Sequence, residues 1–227
     1  MAAALLLSAC ATNRSVINLA APAGEPPKSN SFAKIVEVRD LRQFSVNPGD
    51  PSLPSLGSEE EIKDTRITAR AVARKRNGYG MAMGDVTLAE GSSVAALVRN
   101  SAKKALQDKG YVVVEETAPE YAGAQPLAID IEQFWTWMQP GFASLTFTFN
   151  STVNMKGGSL LVTEPSIVRS QSVVNSGFGT ESTWIQAIQG GINTMTEQLK
   201  AHIKAPAGAP ALSQTDNPAE PMPDLGS

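Results

Sequence analysis

With 227 residues, 42% of them hydrophobic, the chain is long enough for one substantial core plus tails, or for two small domains. A net charge of −3, from 19 basic and 22 acidic residues, carries no footprint of nucleic-acid binding. One cysteine and one histidine exclude an intrachain disulfide and the usual zinc frameworks.

The chain begins with an apolar run, Ala2 to Leu7, then small Ser8 and Ala9, then Cys10. That order is the layout of a secretory signal peptide, far short of the ~20 apolar residues that span a bilayer. Met1 to Leu7 holds no Lys or Arg where a charged leader segment belongs, which predicts a start upstream of Met1. Leu7-Ser8-Ala9-Cys10 also resembles the bacterial lipobox, whose cysteine is lipidated and becomes the mature N-terminus. A lone thiol is a liability in an oxidising compartment unless capped, and a thioether-linked lipid is such a cap. Ala11 stands where an aspartate would resemble the inner-membrane retention signal, so the resemblance implies the periplasmic face of the outer membrane.

Residues 11–31 are small, polar and punctuated by Pro22, Pro26 and Pro27, a composition that predicts a flexible tether. Phe32 to Leu41, with β-branched Ile35, Val36 and Val38, reads as the first strand of a domain over 32–204. A long loop or small hairpin insertion follows over 45–90, broken by Pro48-Gly49-Asp50-Pro51 and Pro54. Within it, Asn77-Gly78 is a strong hairpin signal, with Val72 before the turn and Met81 to Val86 after it.

Val94, Leu97, Val98, Ala102, Ala105 and Leu106 recur at three- and four-residue spacing, which predicts a helix starting at Ser92 or Ser93 and ending at Gly110. Tyr111 to Glu115 follows as a buried strand. A strand, a crossover holding this helix and a second strand predict parallel neighbours. Leu127, Ile129 and Ile131 open a long strand through Phe134, Trp135 and Trp137 to a turn at Pro140-Gly141. Leu145 to Met155 alternates as its antiparallel partner. Leu160 to Glu164 and Ile167 to Val174 supply the last strand or two, with Pro165 between them. A final helix carries Trp184, Ile185, Ile188, Ile192, Met195, Leu199 and Ile203 on one stripe, capped by Thr180 or Ser182. From 205 to 227 Pro, Ala, Gly and acidic residues predict a disordered tail. The order gives an α+β two-layer sandwich: a mixed, mostly antiparallel sheet with two amphipathic helices on one face.

Several short motifs together resemble the YajG-type outer-membrane lipoproteins of Gram-negative bacteria. They are the lipobox, a first strand ending near Asp40-Leu41-Arg42, Arg76-Asn77-Gly78-Tyr79-Gly80-Met81, Ser93 to Gly110 followed by Tyr111-Val112-Val113, and the final helix. The Pro-rich stretch after Phe44 and the Pro-Ala tail depart from that pattern. The resemblance implies a lipid-anchored periplasmic protein with no assigned enzymatic activity, and it supplies no catalytic residues.

The residues themselves offer few catalytic arrangements. His202 lies beside Lys200 and Lys204, a setting for a solvated cation at a helix C-terminus. Ser31 to Lys34 and Ser101 to Lys104 repeat a Ser-x-x-Lys spacing without the partner motifs of a serine acyl-enzyme. Asp130 and Glu132 alternate onto one outward strand face, a weak carboxylate pair. Arg66, Arg70, Arg74, Lys75 and Arg76 form a basic cluster, either a contact for anionic headgroups or a solvated face balanced by Glu59, Glu60, Glu61 and Asp64. Phe134, Trp135, Trp137, Met138 and Phe142 gather around Pro140-Gly141. Neighbours on a strand point to opposite faces, so Phe134 and Trp135 cannot both enter one core. The cluster is then a partner-docking tip, or the segment from Phe44 to Glu90 folds over it. These readings lead to a non-enzymatic binding or scaffolding subunit of an envelope assembly, with no cofactor and no metal. The alternative is a carrier lipoprotein of a transport system, holding an apolar or lipid ligand between helices and sheet. Acyl chains in the outer membrane and an envelope protein are the expected partners.

Overall fold

The computed structural model describes residues 14–207 apart from 25, 26, 28, 78 and 165. Residues 1–13 with Cys10, the residues from 208 onward, Gly78 and Pro165 therefore lie outside the described residues. The described chain is α+β, with four α-helices, an eight-stranded mixed sheet and a separate two-stranded pair.

The sheet is built around one long strand, β8, Gln125–Pro140. Strands named before it in the chain are β1 (Ser15–Ile17), β2 (Phe32–Asp40), β3 (Ser45–Val46), β4 (Ser55–Leu56), β5 (Ala71–Arg76), β6 (Ala82–Leu88) and β7 (Val112–Val113); β9 (Leu145–Gly157) and β10 (Ile167–Ser176) follow it. Antiparallel β9 covers one edge of β8 from end to end, and β10 pairs outside β9. The other edge is shared. β2 runs parallel to its first half, with Ile35 opposite Leu127, and β5 takes the second half, with Ala73 opposite Thr136. The sheet thus forks at the middle of β8. β7 extends the β2 branch, and β6 and then β1 extend the β5 branch. The two longest pairings, β8 with β9 and β9 with β10, are antiparallel, while β2 runs parallel to β8 over seven positions.

The register of β8 breaks between Ile131 and Gln133. Leu127, Ile129 and Ile131 are fully buried before the bulge; Phe134 and Thr136 are fully buried after it. One extra residue moves the inward set from odd to even positions.

Helix α3 (Val94–Asp108) starts where Ser93 Oγ accepts from the Ala96 amide at 3.1 Å and ends before Gly110, whose φ of 100° a side chain would strain. Helix α4 (Glu181–His202) starts at Thr180, whose Oγ1 accepts from the Thr183 amide. The two helices pack on each other and on the sheet, α3 over β2 and α4 over β9 and β10. Their predicted stripes are the buried ones, and Phe134, Phe147, Phe149 and Trp184 fill the layer between. β7 lies beside β2, as predicted for the crossover through α3.

Three elements differ from the sequence reading. Residues 15–17, placed in a tether, form edge strand β1, and Ile17 is buried in the main core. Leu160 to Glu164 is no strand but a turn holding an isolated bridge, Val162 to Ile203. Finally, 45–90 is no mere insertion, since β5 and β6 belong to the sheet, and short helices α1 (Glu59–Lys63) and α2 (Thr65–Thr68) precede them. The segment ahead of β5 covers the sheet face opposite the helices. A second core of Leu56, Ala71, Trp135 and Trp137 forms there, with Phe44, Ile62 and Ile67 packed against it.

Candidate functional site

Most ionisable side chains that the topology brings together are engaged with one another. At the fork, Arg42 extends a fully buried side chain between the two branches. Its guanidinium donates to Asp40, to Ala71 O at 2.6 Å, to Thr68 O at 2.8 Å and to Phe134 O at 3.1 Å. Carbonyls left without strand partners where β2 and β5 part are satisfied in this way.

On the β5 branch, Asp85 accepts from Arg74 at 2.9 Å and from Arg14 at 3.0 Å, and Arg14 also reaches Glu61 at 2.7 Å. Burial works against the Arg14 charge, but the bonds to Asp85 and Glu61 outweigh it and raise its pKa. On the β2 branch, Asp130 binds Arg39 through two bonds and also Lys156. The bonds from Arg39 and then Lys156 hold its carboxyl at about 2.

The basic cluster divides between these settings. Arg66 is exposed and bonded to Asp64, and Arg70 donates to Leu88 O and Arg66 O. Arg74 is buried against Asp85, Lys75 reaches Ser15 Oγ at 2.6 Å, and Arg76 donates to Gly80 O and Ser55 Oγ. Arg66 and Arg70 lie on or just after α2 while the other three ride β5, so no single helical face unites them. Burial and the neighbouring Arg74 lower the Arg76 pKa.

The enzyme-like spacings are placed as follows. Ser101 is buried within α3 and Lys104 binds Asp108. Lys34 Nζ binds Tyr121 O and lies over its ring. His202 sits in the last turn of α4, with Nδ1 2.9 Å from Gln198 O. Asp130 is buried and Glu132, beyond it at the bulge, is exposed, so the two do not form one outward pair. Among the described residues no three His, Cys, Asp or Glu side chains converge as a metal would require.

The aromatic cluster is corrected most. Phe134 and Trp135 are fully buried and Trp137 nearly so, on opposite faces as the alternation requires. Trp135 stacks edge-on to Phe44 with ring centroids 6.0 Å apart, and its Nε1 donates to Pro51 O at 3.3 Å. The segment ahead of β5 has therefore taken these rings. Only Phe142 remains fully outside, with Met138 half-buried below it.

Phe142 has neighbours that sequence reasoning did not assign. The hairpin between β5 and β6 ends beside the β8–β9 turn, because β5 runs parallel along the second half of β8. A cleft of about 770 Å³ lies between them, lined by Pro48, Arg76, Tyr79, Met81, Met138 and Pro140 among others. β10 ends with Ser176 opposite Leu145, and a side chain at Gly179 would meet Met138, Leu145 and Phe147, which brings Phe178 to the same end. Tyr79, Met81, Phe142 and Phe178 are 91, 60, 109 and 77% exposed there. Large apolar groups on three adjacent loops form a surface of a kind that marks a docking region. The available signal was the Tyr79-Gly80-Met81 hairpin tip, whose role depends on which strand lies next to β5.

Further clefts of about 530 and 370 Å³ lie at the opposite end of the sheet, beside Leu160 and Lys204, and on the outer polar face of β9 and β10. The layer between helices and sheet is filled by the buried residues of the main core. No described helix is long and apolar enough to cross a membrane.

No family model and no curated protein matches the chain. Solved structures resemble it, two of which are as follows. One is an uncharacterized protein, 9% identical over 83% of this chain and 97% of that one, with a TM-score of 0.38. The other is protein XCC0632 from Xanthomonas campestris, described by the family model DUF330, 11% identical over 82% of this chain and 92% of that one, with a TM-score of 0.39.

Proposed function

We propose that the protein is a lipid-anchored lipoprotein on the periplasmic face of a Gram-negative outer membrane, of the YajG type, acting there as a non-enzymatic binding or scaffolding subunit of an envelope assembly. The observation that carries this reading is Leu7-Ser8-Ala9-Cys10, with the only thiol of the chain at the position that receives a lipid. Two structural features support a role played at the surface of the domain. The ion pairs of Arg42, Asp85 and Asp130 hold strands together, while Tyr79, Met81, Phe142 and Phe178 face outward at one end. The filled layer between helices and sheet favours recognition at the surface over an internal ligand.

Metabolic labelling with a fatty-acid analogue, in Gram-negative cells expressing the chain behind a complete leader, tests the anchor. The wild type incorporates label and fractionates with outer membranes, and the Cys10→Ser variant does neither. An unlabelled, freely soluble wild type overturns the reading.

A further inference from the structure

The direction of the first strand relates the exposed end to the lipid anchor. β1 runs parallel to β6, with Ser15 opposite Val86 and Ile17 opposite Leu88. β6 begins at Ala82, directly after the Tyr79–Met81 tip. The chain therefore enters β1 from the end of the sheet that carries the tip, not from the opposite end. Arg14 is held there by Asp85 at 3.0 Å and Glu61 at 2.7 Å. Cys10 precedes Arg14 by four positions, and four residues reach at most about 14 Å. A lipid on Cys10 would thus hold this end of the domain within a short distance of the bilayer, with no room for a long standoff.

The side chains at that end suit a bilayer interface. Tyr79, Met81, Phe142 and Phe178 are large, apolar or amphipathic, and exposed. Tyr79, with an apolar ring and a polar tip, suits the headgroup region, and Met81, Phe142 and Phe178 suit the acyl boundary just beneath it. Of the two charged residues described in the lining of the adjoining cleft, Arg74 is neutralised by Asp85, and Arg76 leaves one cation there to meet anionic headgroups.

We propose that the Tyr79–Met81, Phe142 and Phe178 loops dock onto the phospholipid surface to which Cys10 is tethered, orienting β8 end-on to the membrane. This inference rests on the lipoprotein reading above. The docked end is the one with Pro140, and the end with Leu160 points away, because β9 runs from Leu145 beside Pro140 to Gly157 beside Leu127.

The test uses the full chain, purified without lipid and coupled through its one cysteine to a maleimide lipid. The vesicles contain phosphatidylethanolamine and phosphatidylglycerol with brominated acyl chains. Phe142→Trp, Phe178→Trp and Leu160→Trp each add an exposed indole, while Trp135, Trp137 and Trp184 are buried. Docking is expected to quench the added emission at 142 and 178 and to leave that at 160 unchanged. No quenching at 142 and 178, or equal quenching at all three, overturns the proposal. So does crosslinking of positions 142 and 178 to one envelope protein in cells when vesicles leave both emissions intact, since a protein then occupies this end. Failure of acyl labelling at Cys10 overturns the anchor and, with it, docking in the cell. Unquenched reporters on a protein that does acquire label overturn the docking alone.

Discussion

Arg42 and Asp40, two positions apart, face each other through paired bonds of 2.8 and 2.7 Å at the point where the sheet forks. The carboxylate holds one side of the guanidinium while the other side reaches carbonyls of β5, β8 and α2. Only a planar fork with several donors can serve so many acceptors at once. Arg42→Ala is therefore expected to lower stability by about 2–4 kcal/mol, since it leaves the carbonyls of Thr68, Ala71 and Phe134 without their donor. Arg42→Lys keeps the charge but loses the fork, and should recover only part of that loss. Urea denaturation followed by circular dichroism measures both, and a lysine variant as stable as wild type would contradict the geometric account.

Gly191 sits where α4 crosses β9. A methyl group there would collide with the ring of Phe149. Gly191→Ala is expected to cost about 1–3 kcal/mol through overpacking, despite the better helix propensity of alanine. Combining it with Phe149→Leu should recover part of the loss, because the two changes share one space. Thermal unfolding of the two single variants and the double variant completes the cycle.

Asp130 titrates low because Arg39 and Lys156 favour its charged form, from an ordinary 3.8 down to about 2. A carboxyl depressed in the fold contributes stability above its unfolded pKa and loses that contribution as pH falls through its folded one. The wild type should therefore lose stability as pH drops from about 4 to about 2, more steeply than Asp130→Asn does over the same interval. Urea midpoints across this range measure the difference, and parallel curves would remove Asp130 from the account.

Phe44 closes the second core over Trp135. Phe44→Ala should open that cover, shift Trp135 emission to the red and admit acrylamide, at a cost of about 1–3 kcal/mol. The main core, on the other face of the sheet, should keep its far-ultraviolet signal. Fluorescence and circular dichroism on the same samples separate the two effects.

Elements whose signals were local could be read from the sequence. α3 announces itself through Ser93, a three-and-four stripe and Gly110, and β5 and β6 flank Asn77 at their turn. β1 could not be read in that way. Three residues with Val16 exposed carry no pattern, and their only strand partner lies some seventy positions away, as with Arg14 and Asp85. The bulge in β8 left a visible mark, the change from Ile131 to Phe134 in the inward series, but only for a reader who follows parity along the strand. Strand alternation correctly placed Phe134 and Trp135 on opposite faces. What covers Trp135 was left open, since Phe44, Leu56, Ile62 and Ile67 are scattered through a Pro-rich stretch without periodicity. The exposed end escaped notice for a related reason. Tyr79, Phe142 and Phe178 lie far apart in the chain, and only the course of β5 along β8 unites the first two.

The forked strand also sets a timetable. Arg39 and Asp130 are 91 positions apart, so β2 emerges from the ribosome long before the backbone it will pair with. Until Gln125 to Pro140 has been made, β5 and β6 can pair with each other and β2 with β7, but neither branch has its central neighbour and each keeps an edge open. Completion of that one segment is the event that joins both wings into a single sheet.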